Sequence, residues 1–431
     1  MIDLKGKRLL LLGGSLWKDV IQDYAKHKGI VLIATGNDQS AGIFQIAEER
    51  YDVDSTDENA MKQLIIDKKI DGVYMGGSEA VCSVACKYLN ELGMPCYCTK
   101  EQWDFLENKA NFKTLCEQFG LPVAKRYQYP TIDHDFAQID FPVITKPTDG
   151  SGSNGFSVCN NFEELRKGYE NAKKESPSGS VIVEKFVKND SVVVFYTFSN
   201  GKMFFSGLEE KFPIRYEEQG RYVAGAHVFE SDFTKDFRNK FETKLEKLFC
   251  SIGIKEGSIW IEVFHDGDQY YFNEVGYRYS GSVSIYPVDY FYQINQVAAD
   301  INFALTGESQ IGKKDEHVSL ISNRVKRRER YCIYSIHVSS GEISQIIGLE
   351  ELLRMDSVVA IPVAKKAGDI VTATGTIGQV FAFVHFVFDT ENELINMIEC
   401  IHEKLQVLDT YGNNLVQKMV DPKQMIERLI F

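Results

Sequence analysis

Two glutamates and an arginine stand on two neighbouring apolar segments, Glu262 in "IWIEVF" and Glu274 and Arg278 in "YYFNEVGYR". Both segments are rich in β-branched and aromatic residues and flank "HDGDQ", so they read as two strands of a hairpin. Side chains alternate along a strand, and a hairpin can turn both carboxylates to one site. Two carboxylates there supply the hard oxygen ligands that magnesium takes, with phosphate and water in its remaining positions. A guanidinium four residues beyond Glu274 can neutralise charge developing on a transferring phosphoryl group. The plain alternative is a half-solvated hairpin with glutamates on its polar face, and for either residue alone it is the stronger reading.

Upstream, "FPVITKPTDGSGSNGFSV" (141–158) ends a strand at Lys146 and enters a loop holding Gly150, Ser151, Gly152, Ser153 and Gly155. The spacing Gly150-x-Gly152-x-x-Gly155 matches a dinucleotide fingerprint. That motif requires strand, turn and helix, with pyrophosphate on the helix amino terminus. Here "FSVCN" follows, which has no helical start, and no Walker A Gly-Lys-Ser/Thr ending is present. A glycine- and serine-rich loop between antiparallel strands is instead a flap, whose N–H groups approach phosphate because glycine lacks Cβ. Lys146 then offers nucleotide phosphates a point charge. "VIVEKFV" (181–187) reads as a strand carrying Glu184, an edge whose free backbone groups can meet an adenine rim.

These residues need a scaffold. "KRLLLLGGS", "IVLIATG" and "DGVYMGGSE" are strands alternating with helices over about 1–100, which predicts a parallel, doubly wound α/β sheet. Ligands on such sheets sit at the carboxyl ends of strands, where Gly13–Ser15 and Gly76–Glu79 fall. Equally, these glycines only make tight turns. "TKEQWDFLENKANFKTLCEQFG" is helical, and 141–207 is β-rich around the helix "NFEELRKGYENAKKE". Asn200-Gly201 is a two-residue hairpin turn. The stretch 209–226 has no clear period and reads as a long mobile loop. A helix at 232–253 and another through "PVDYFYQINQVAADINFALTG" follow. The basic run "RVKRRER" (324–330) reads as a solvated linker into a small α+β carboxy-terminal domain.

The 431 residues suffice for two to four domains, and a formal charge of −13 argues against bulk binding to nucleic acid or to an anionic membrane. No run reaches the ~18 apolar residues of a membrane span, and "MIDLKGKRLLLLGG" is too short in apolar length for a signal peptide. The nine cysteines lack metal-ligand spacing, which points to free thiols in a reducing compartment and a cytoplasmic location.

The order Lys, Lys and glycine flap, Glu on a strand, then Glu…Glu-x-x-x-Arg resembles the ATP-grasp superfamily over roughly 1–310, and the carboxy-terminal part resembles the cap of biotin carboxylases and L-amino-acid (dipeptide) ligases. The resemblance implies a pre-ATP-grasp α/β domain (1–105), an ATP-grasp domain (106–323, with a phosphate-flap subdomain at about 120–185) and an α+β cap (324–431). It implies that ATP is held by Lys109, Lys146, the flap to Gly155, an adenine hinge at Glu184, Lys185, Phe186 and Val187, and Asp190 at the ribose. Magnesium or manganese falls to Glu262 and Glu274. Arg278, Ser280, Gly281 and Ser282 fall at the acyl phosphate. Lys211, Arg215, Arg221 and His227 in the variable segment, with Glu79, are candidate substrate contacts. The family pattern Glu-x-Asn-Pro-Arg is here Glu274-Val275-Gly276-Tyr277-Arg278, so one metal ligand is missing, to be replaced by water or by Asn273 on a bulged strand. The implied activity is an ATP-dependent carboxylate–amine ligase with small-molecule substrates, an amino acid among the candidate acids, in a homodimer. The alternatives are a bicarbonate-using carboxylase or carbamoyl-phosphate-type enzyme, and a non-catalytic nucleotide-binding protein.

Overall fold

The computed structural model describes residues 3–129, 138–149, 155–187, 190–216, 221–267, 269–311 and 319–429. The amino-terminal part is a parallel sheet of β1 (Arg8–Leu11), β2 (Val31–Thr35), β3 (Glu49–Tyr51) and β4 (Gly72–Tyr74) in the order β3-β2-β1-β4. Leu9, Leu10 and Leu11 are all fully buried, as a strand covered on both faces requires. Helices α1 (Lys18–Lys28), α2 (Gly42–Ile46), α3 (Glu58–Asp67) and α4 (Glu79–Glu91) connect and follow the strands. The turns beyond β1 and β4 touch: a Cβ on Gly76, at φ 75°, would stand 2.7 Å from the Gly13 Cα. Only glycine lets these turns close together, and this places Glu79 at the start of α4 over the centre of the molecule.

The long helical stretch after residue 99 is two helices, α5 (Lys100–Glu107) and α6 (Lys109–Gln118). Asn108 ends the first in an extended conformation and caps the second, accepting from the N–H groups of Ala110 and Asn111. One apolar cluster runs from α3–α6 into the central strands, including Trp103, Phe112, Tyr196, Ile261 and Phe272.

Next comes a small antiparallel sheet of β5 (Arg126–Tyr127), β6 (Val143–Pro147), β7 (Ser157–Cys159) and β8 (Val181–Lys185), in the order β5-β8-β6-β7, covered by α7 (Phe162–Glu175). The glycine loop joins β6 to its antiparallel partner β7, so it connects strand to strand. The expected free edge at 181–185 is corrected: β8 is interior and hydrogen-bonds to β5 and β6 at once.

The central sheet has eight strands in the order β13-β12-β9-β10-β11-β14-β18-β16. These are β9 (Asp190–Ser199), β10 (Lys202–Tyr216), β11 (Arg221–Phe229), β12 (Gly257–His265), β13 (Tyr270–Gly276), β14 (Arg330–His337), β16 (Val358–Ala360) and β18 (Val380–Phe388). Asn200 and Gly201 both have positive φ and turn β9 into β10. The expected loop at 209–226 is corrected where it is described: 209–216 belong to β10 and 221–226 to β11, which pair antiparallel with a register shift at Phe212/Pro213, while 217–220 lie outside the described residues. The strand period was hidden because Glu209 and Glu210 sit in the core at 0% and 1% exposure. Helix α8 (Thr234–Ser251) covers this sheet. The single helix expected through 287–307 is broken into α9 (Ile285–Tyr292) and α10 (Gln296–Thr306) by Gln293 at φ 56° and the capping side chain of Asn295.

Beyond residue 330 the chain adds β14, β18 and β16 to the same central sheet, and a small sheet of β15 (Gly341–Ile347), β17 (Ile370–Val371) and β19 (Gln406–Asp409). Helices α11 (Leu349–Leu353), α12 (Glu391–Lys404) and α13 (Pro422–Ile426) complete it. The basic run 324–330 is largely exposed, as expected, and its arginines are paired. Arg328 pairs with Asp389 at 2.7 Å, Arg330 pairs with Asp232 at 3.1 Å, and Arg327 lies over Tyr290 at 4.3 Å.

Candidate functional site

Glu262 on β12 and Glu274 on β13 are direct cross-strand partners. The register shifts immediately afterwards, between Glu262 and Val263, and Asn273 is the extra residue on β13. The bulge turns Asn273 toward the same side as the two carboxylates, so its Nδ2 donates to Glu262 Oε2 at 2.7 Å. Its Oδ1 accepts from Lys146 at 2.8 Å and from Lys113 at 3.4 Å. The expected bulge is therefore present, yet the amide oxygen already serves two ammonium groups.

Lys146, at the end of β6, and Lys113, on α6, share one buried carboxylate. Glu184 lies 2.7 Å from Lys113 and 2.8 Å from Lys146, and both Lys113 and Glu184 are 1% exposed. Burial lowers the Lys113 ammonium to about 8, helped by repulsion from Lys146, and the attraction of Glu184 only partly restores it. Burial alone would raise the Glu184 carboxyl, but the two lysines outweigh it and hold it below the ordinary range. Lys109, on the first turn of α6, reaches Glu274 at 3.4 Å. Lys211, on β10, donates to Glu262 Oε1 at 2.5 Å. Burial opposes ionisation of Glu262, yet Lys211, Asn273 and Ser191 hold it down at about 2.

Arg278 follows β13 and pairs with Glu79 of α4 at 2.5 Å, which brings the amino-terminal sheet to the site. Its guanidinium lies over the Trp260 indole at 5.4 Å. Trp260 faces Gly276 across the β12–β13 ladder. These groups border a cleft of about 490 Å³, lined among others by Glu79, Lys109, Lys146, Lys211, Glu262, Glu274 and Arg278.

A second cavity of about 170 Å³ shares Lys211, Val223, Ala224, Trp260 and Glu274 with the cleft. Ser280, Gly281, Ser282 and His227 also line it. The hydroxyls of Ser280, Ser282 and Ser284 lie 2.7–2.8 Å from one another. His227 Nδ1 and Glu209 Oε1 share a hydrogen bond of 2.7 Å in the core. Ser335, His337, Ile377, Val380 and Phe383 close it from the carboxy-terminal part. Burial holds the His337 imidazole down at about 4, so it is neutral.

The structure thus gathers Lys109, Lys146, Glu262, Glu274 and Arg278, with Glu79 and Lys211, round one cleft. Other expected site residues are placed away from the cleft or beneath it. The Glu184 side chain is the buried counter-ion of two lysines. Lys185 turns away, donating to the carbonyl of Phe141 at 3.0 Å and pairing with Asp140 at 3.1 Å. The Phe186 N–H is taken by the carbonyl of Pro142 at 3.0 Å, and neither Phe186 nor Val187 lines the cleft. Arg215 is exposed and stacks on Tyr222 at 5.7 Å. Gly150, Ser151, Gly152 and Ser153 lie outside the described residues, as do the side chains of Asp190 and Arg221. Gly155, at the foot of the flap loop, has φ 75°. Sequence reasoning missed Lys113, Trp260 and Glu209. For Lys113 the signal was the i, i+4 spacing from Lys109, which set one lysine at the cleft and one beneath it.

Known proteins bear on this geometry. Residues 139–285 match the ATP-grasp domain family. The formate-dependent phosphoribosylglycinamide formyltransferase of Mannheimia succiniciproducens is 25% identical over 354 residues, covering 80% of this chain and 85% of that protein. The biotin carboxylase domain of Hydrogenobacter thermophilus 2-oxoglutarate carboxylase superposes with a TM-score of 0.77 at 16% identity, over 95% of this chain and 91% of that one. An L-amino acid ligase from Bacillus licheniformis superposes with a TM-score of 0.73 at 17% identity, over 94% and 99%. Residues 139–285 thus form an ATP-grasp domain, and the chain as a whole has the ATP-grasp fold.

Proposed function

We propose that this protein is an ATP-dependent carboxylate–amine ligase that forms an amide through an acyl phosphate, with an amino acid as its acid substrate. The observation that carries the reading is the cleft itself: four cations, Lys109, Lys146, Lys211 and Arg278, line it around the cross-strand pair Glu262 and Glu274. Each of these cations holds a carboxylate within 3.4 Å in the absence of ligand. A polyphosphate entering the cleft offers them stronger partners, and little further reorganisation is needed.

Lys146, steadied by Glu184 and Asn273, binds nucleotide phosphate. Lys109 and the flap hold the phosphates from the other sides. Glu262 and Glu274 fit a magnesium or manganese ion, which when bound supplies neutralisation of the phosphates' charge. The substrate carboxylate sits toward Ser280–Ser282. One of its oxygens attacks the γ-phosphorus, the bond to the β-phosphate oxygen breaks, and ADP leaves. Arg278, fixed by Glu79 and the Trp260 face, stabilises the charge that develops. The amine then attacks the acyl carbon, phosphate leaves, and the amine gives up one proton. Positioning and electrostatics do this without a covalent enzyme intermediate.

The name of the formyltransferase relatives also pairs a carboxylate, formate, with an amine-bearing glycinamide, which supports the reaction class. The family resemblance adds a homodimer working in the cytoplasm. Among the described residues no helix is long and apolar enough to cross a membrane.

The test is mass spectrometry of products with Mg-ATP and pooled amino acids, with and without added amines. The reading expects ADP and a new condensed mass only when acid and amine are both present. ADP without a condensed product, or AMP in its place, overturns it.

A further inference from the structure

Residue 276 is glycine because of Trp260. Its φ is not in the left-handed region, so the backbone does not demand glycine there; space does. A Cβ at 276 would stand 2.3 Å from the Trp260 Cε2 and 2.4 Å from Nε1. The indole fills the room that any ligand side chain at 276 would need. Its Nε1 is buried and has no hydrogen-bond partner. An indole N–H is a donor only, so it repels a cation rather than binding one.

The other oxygen within reach is also spoken for. Asn273 points its Oδ1 at Lys146, 2.8 Å away, and turns its Nδ2 to Glu262. The remaining oxygen of Glu262 accepts from Lys211 Nζ at 2.5 Å. Lys211 lines both the nucleotide cleft and the adjoining cavity, so its ammonium stands between the two.

Resting on the reading above, we propose that the site works with a single divalent cation, held by Glu262 and Glu274, and that the Lys211 ammonium takes the place of a second one. Trp260 enforces this by excluding a ligand at 276. The Lys211 ammonium occupies the side of Glu262 at Oε1 that a second divalent ion would need, and its charge disfavours a further cation there. Lys211 thereby contributes a permanent positive charge next to the transferring phosphoryl group and the acid substrate.

The experiment counts manganese bound per chain at saturating ADP, by equilibrium dialysis and electron paramagnetic resonance. One ion per chain with an uncoupled spectrum is expected. Two ions with spin coupling overturn the inference, and so does the absence of any bound ion. Lys211→Met is expected to weaken Mn-ADP binding at least tenfold, and unchanged binding removes its role as the second charge. Gly276→Asn alone should fold poorly because of the indole, so it is paired with Trp260→Val. The pair is expected to take up a second ion, and a persistent single ion counts against Trp260 as the excluding residue. None of these readouts needs turnover. A protein that binds one ion but makes no amide keeps this inference and sinks the ligase reading, whereas amide formation with two ions does the reverse.

Discussion

Glu184 and Lys146 form an ion pair of 2.8 Å beneath the candidate cleft, with Lys113 completing it from the other side at 2.7 Å. One carboxylate serves two ammonium groups, so the cluster carries net positive charge where Lys146 meets the cleft. Removing the carboxylate leaves two lysines facing each other without a counter-ion. Breaking a buried pair in this way costs about 3–5 kcal/mol. Glu184→Gln is therefore expected to lower the urea unfolding free energy by that order. Lys146→Ala should weaken ADP binding by about ten- to a hundredfold, the worth of a charge-assisted hydrogen bond. Calorimetric titration of both variants checks this, and an unchanged ADP affinity in Lys146→Ala rejects the phosphate assignment.

Lys113 makes the cluster sensitive to pH. Its ammonium titrates at about 8, well below its ordinary value of 10.5. Between these pH values the folded chain holds fewer protons than the unfolded chain, so this group's contribution to stability rises with pH there and is lost as pH falls through about 8. Nucleotide binding moves the opposite way, because above pH 8 the cluster loses a positive charge. ADP affinity is expected to fall between pH 7 and 9. Lys113→Met should bind weakly at both pH values and lose that slope; a slope that survives the substitution assigns it to another group.

The scaffold was largely legible in the sequence, because parallel strands buried on both faces leave apolar runs such as "RLLLL" with glycine turns after them. Glu262, Glu274 and Arg278 were readable for a related reason: two short β-rich runs flank an obvious turn, and Asn273 is the only extra residue between them and the register. Segment 209–226 was not readable. Glu209 and Glu210 occupy core positions that a hydrophobic pattern assigns to apolar side chains, and their partners, His227 and Ser231, lie 18 and 21 residues away. The ion pairing of Glu184 was hidden for the same kind of reason. Its counter-ions Lys113 and Lys146 come from a helix and a neighbouring strand, and no local spacing announces a three-body pair.

The two carboxylates of the cleft should respond differently to substitution. Glu274 is 31% exposed and meets a single lysine at 3.4 Å, whereas Glu262 is 13% exposed and accepts from Lys211, Asn273 and Ser191. Glu274→Ala is expected to leave the melting temperature within a few degrees and to cut magnesium-dependent turnover by about a hundredfold or more, since several kcal/mol of charge stabilisation are lost. Glu262→Ala should lose turnover and also unfold at lower temperature, because Lys211 is left without its counter-ion. Thermal melting beside the turnover assay separates the two. Full activity in Glu274→Ala contradicts its placement as a metal ligand.

Asp300 gives the interface behind Arg278 its own pH response. It accepts from the hydroxyl of Tyr279, the residue between Arg278 and Ser280, and lies against Tyr74 and Tyr97 at the joint of α10 with β4. Burial raises its carboxyl from 3.8 to about 7, and the Tyr279 hydrogen bond offsets only part of that. The folded chain thus holds a proton there that the unfolded chain releases near pH 4. The stability this contributes is complete below about pH 4 and is lost as pH rises through about 7. The expected outcome is a melting temperature that falls between about pH 4 and pH 7 in the native protein and levels off above. In Asp300→Asn, which keeps the shape and the acceptor without the charge, that fall should flatten. Equal slopes in the two proteins place the titrating group elsewhere. Turnover read at the same pH values tells whether the joint also positions Arg278: if it does, kcat follows the native stability slope and becomes pH-independent over this window in the Asp300→Asn protein.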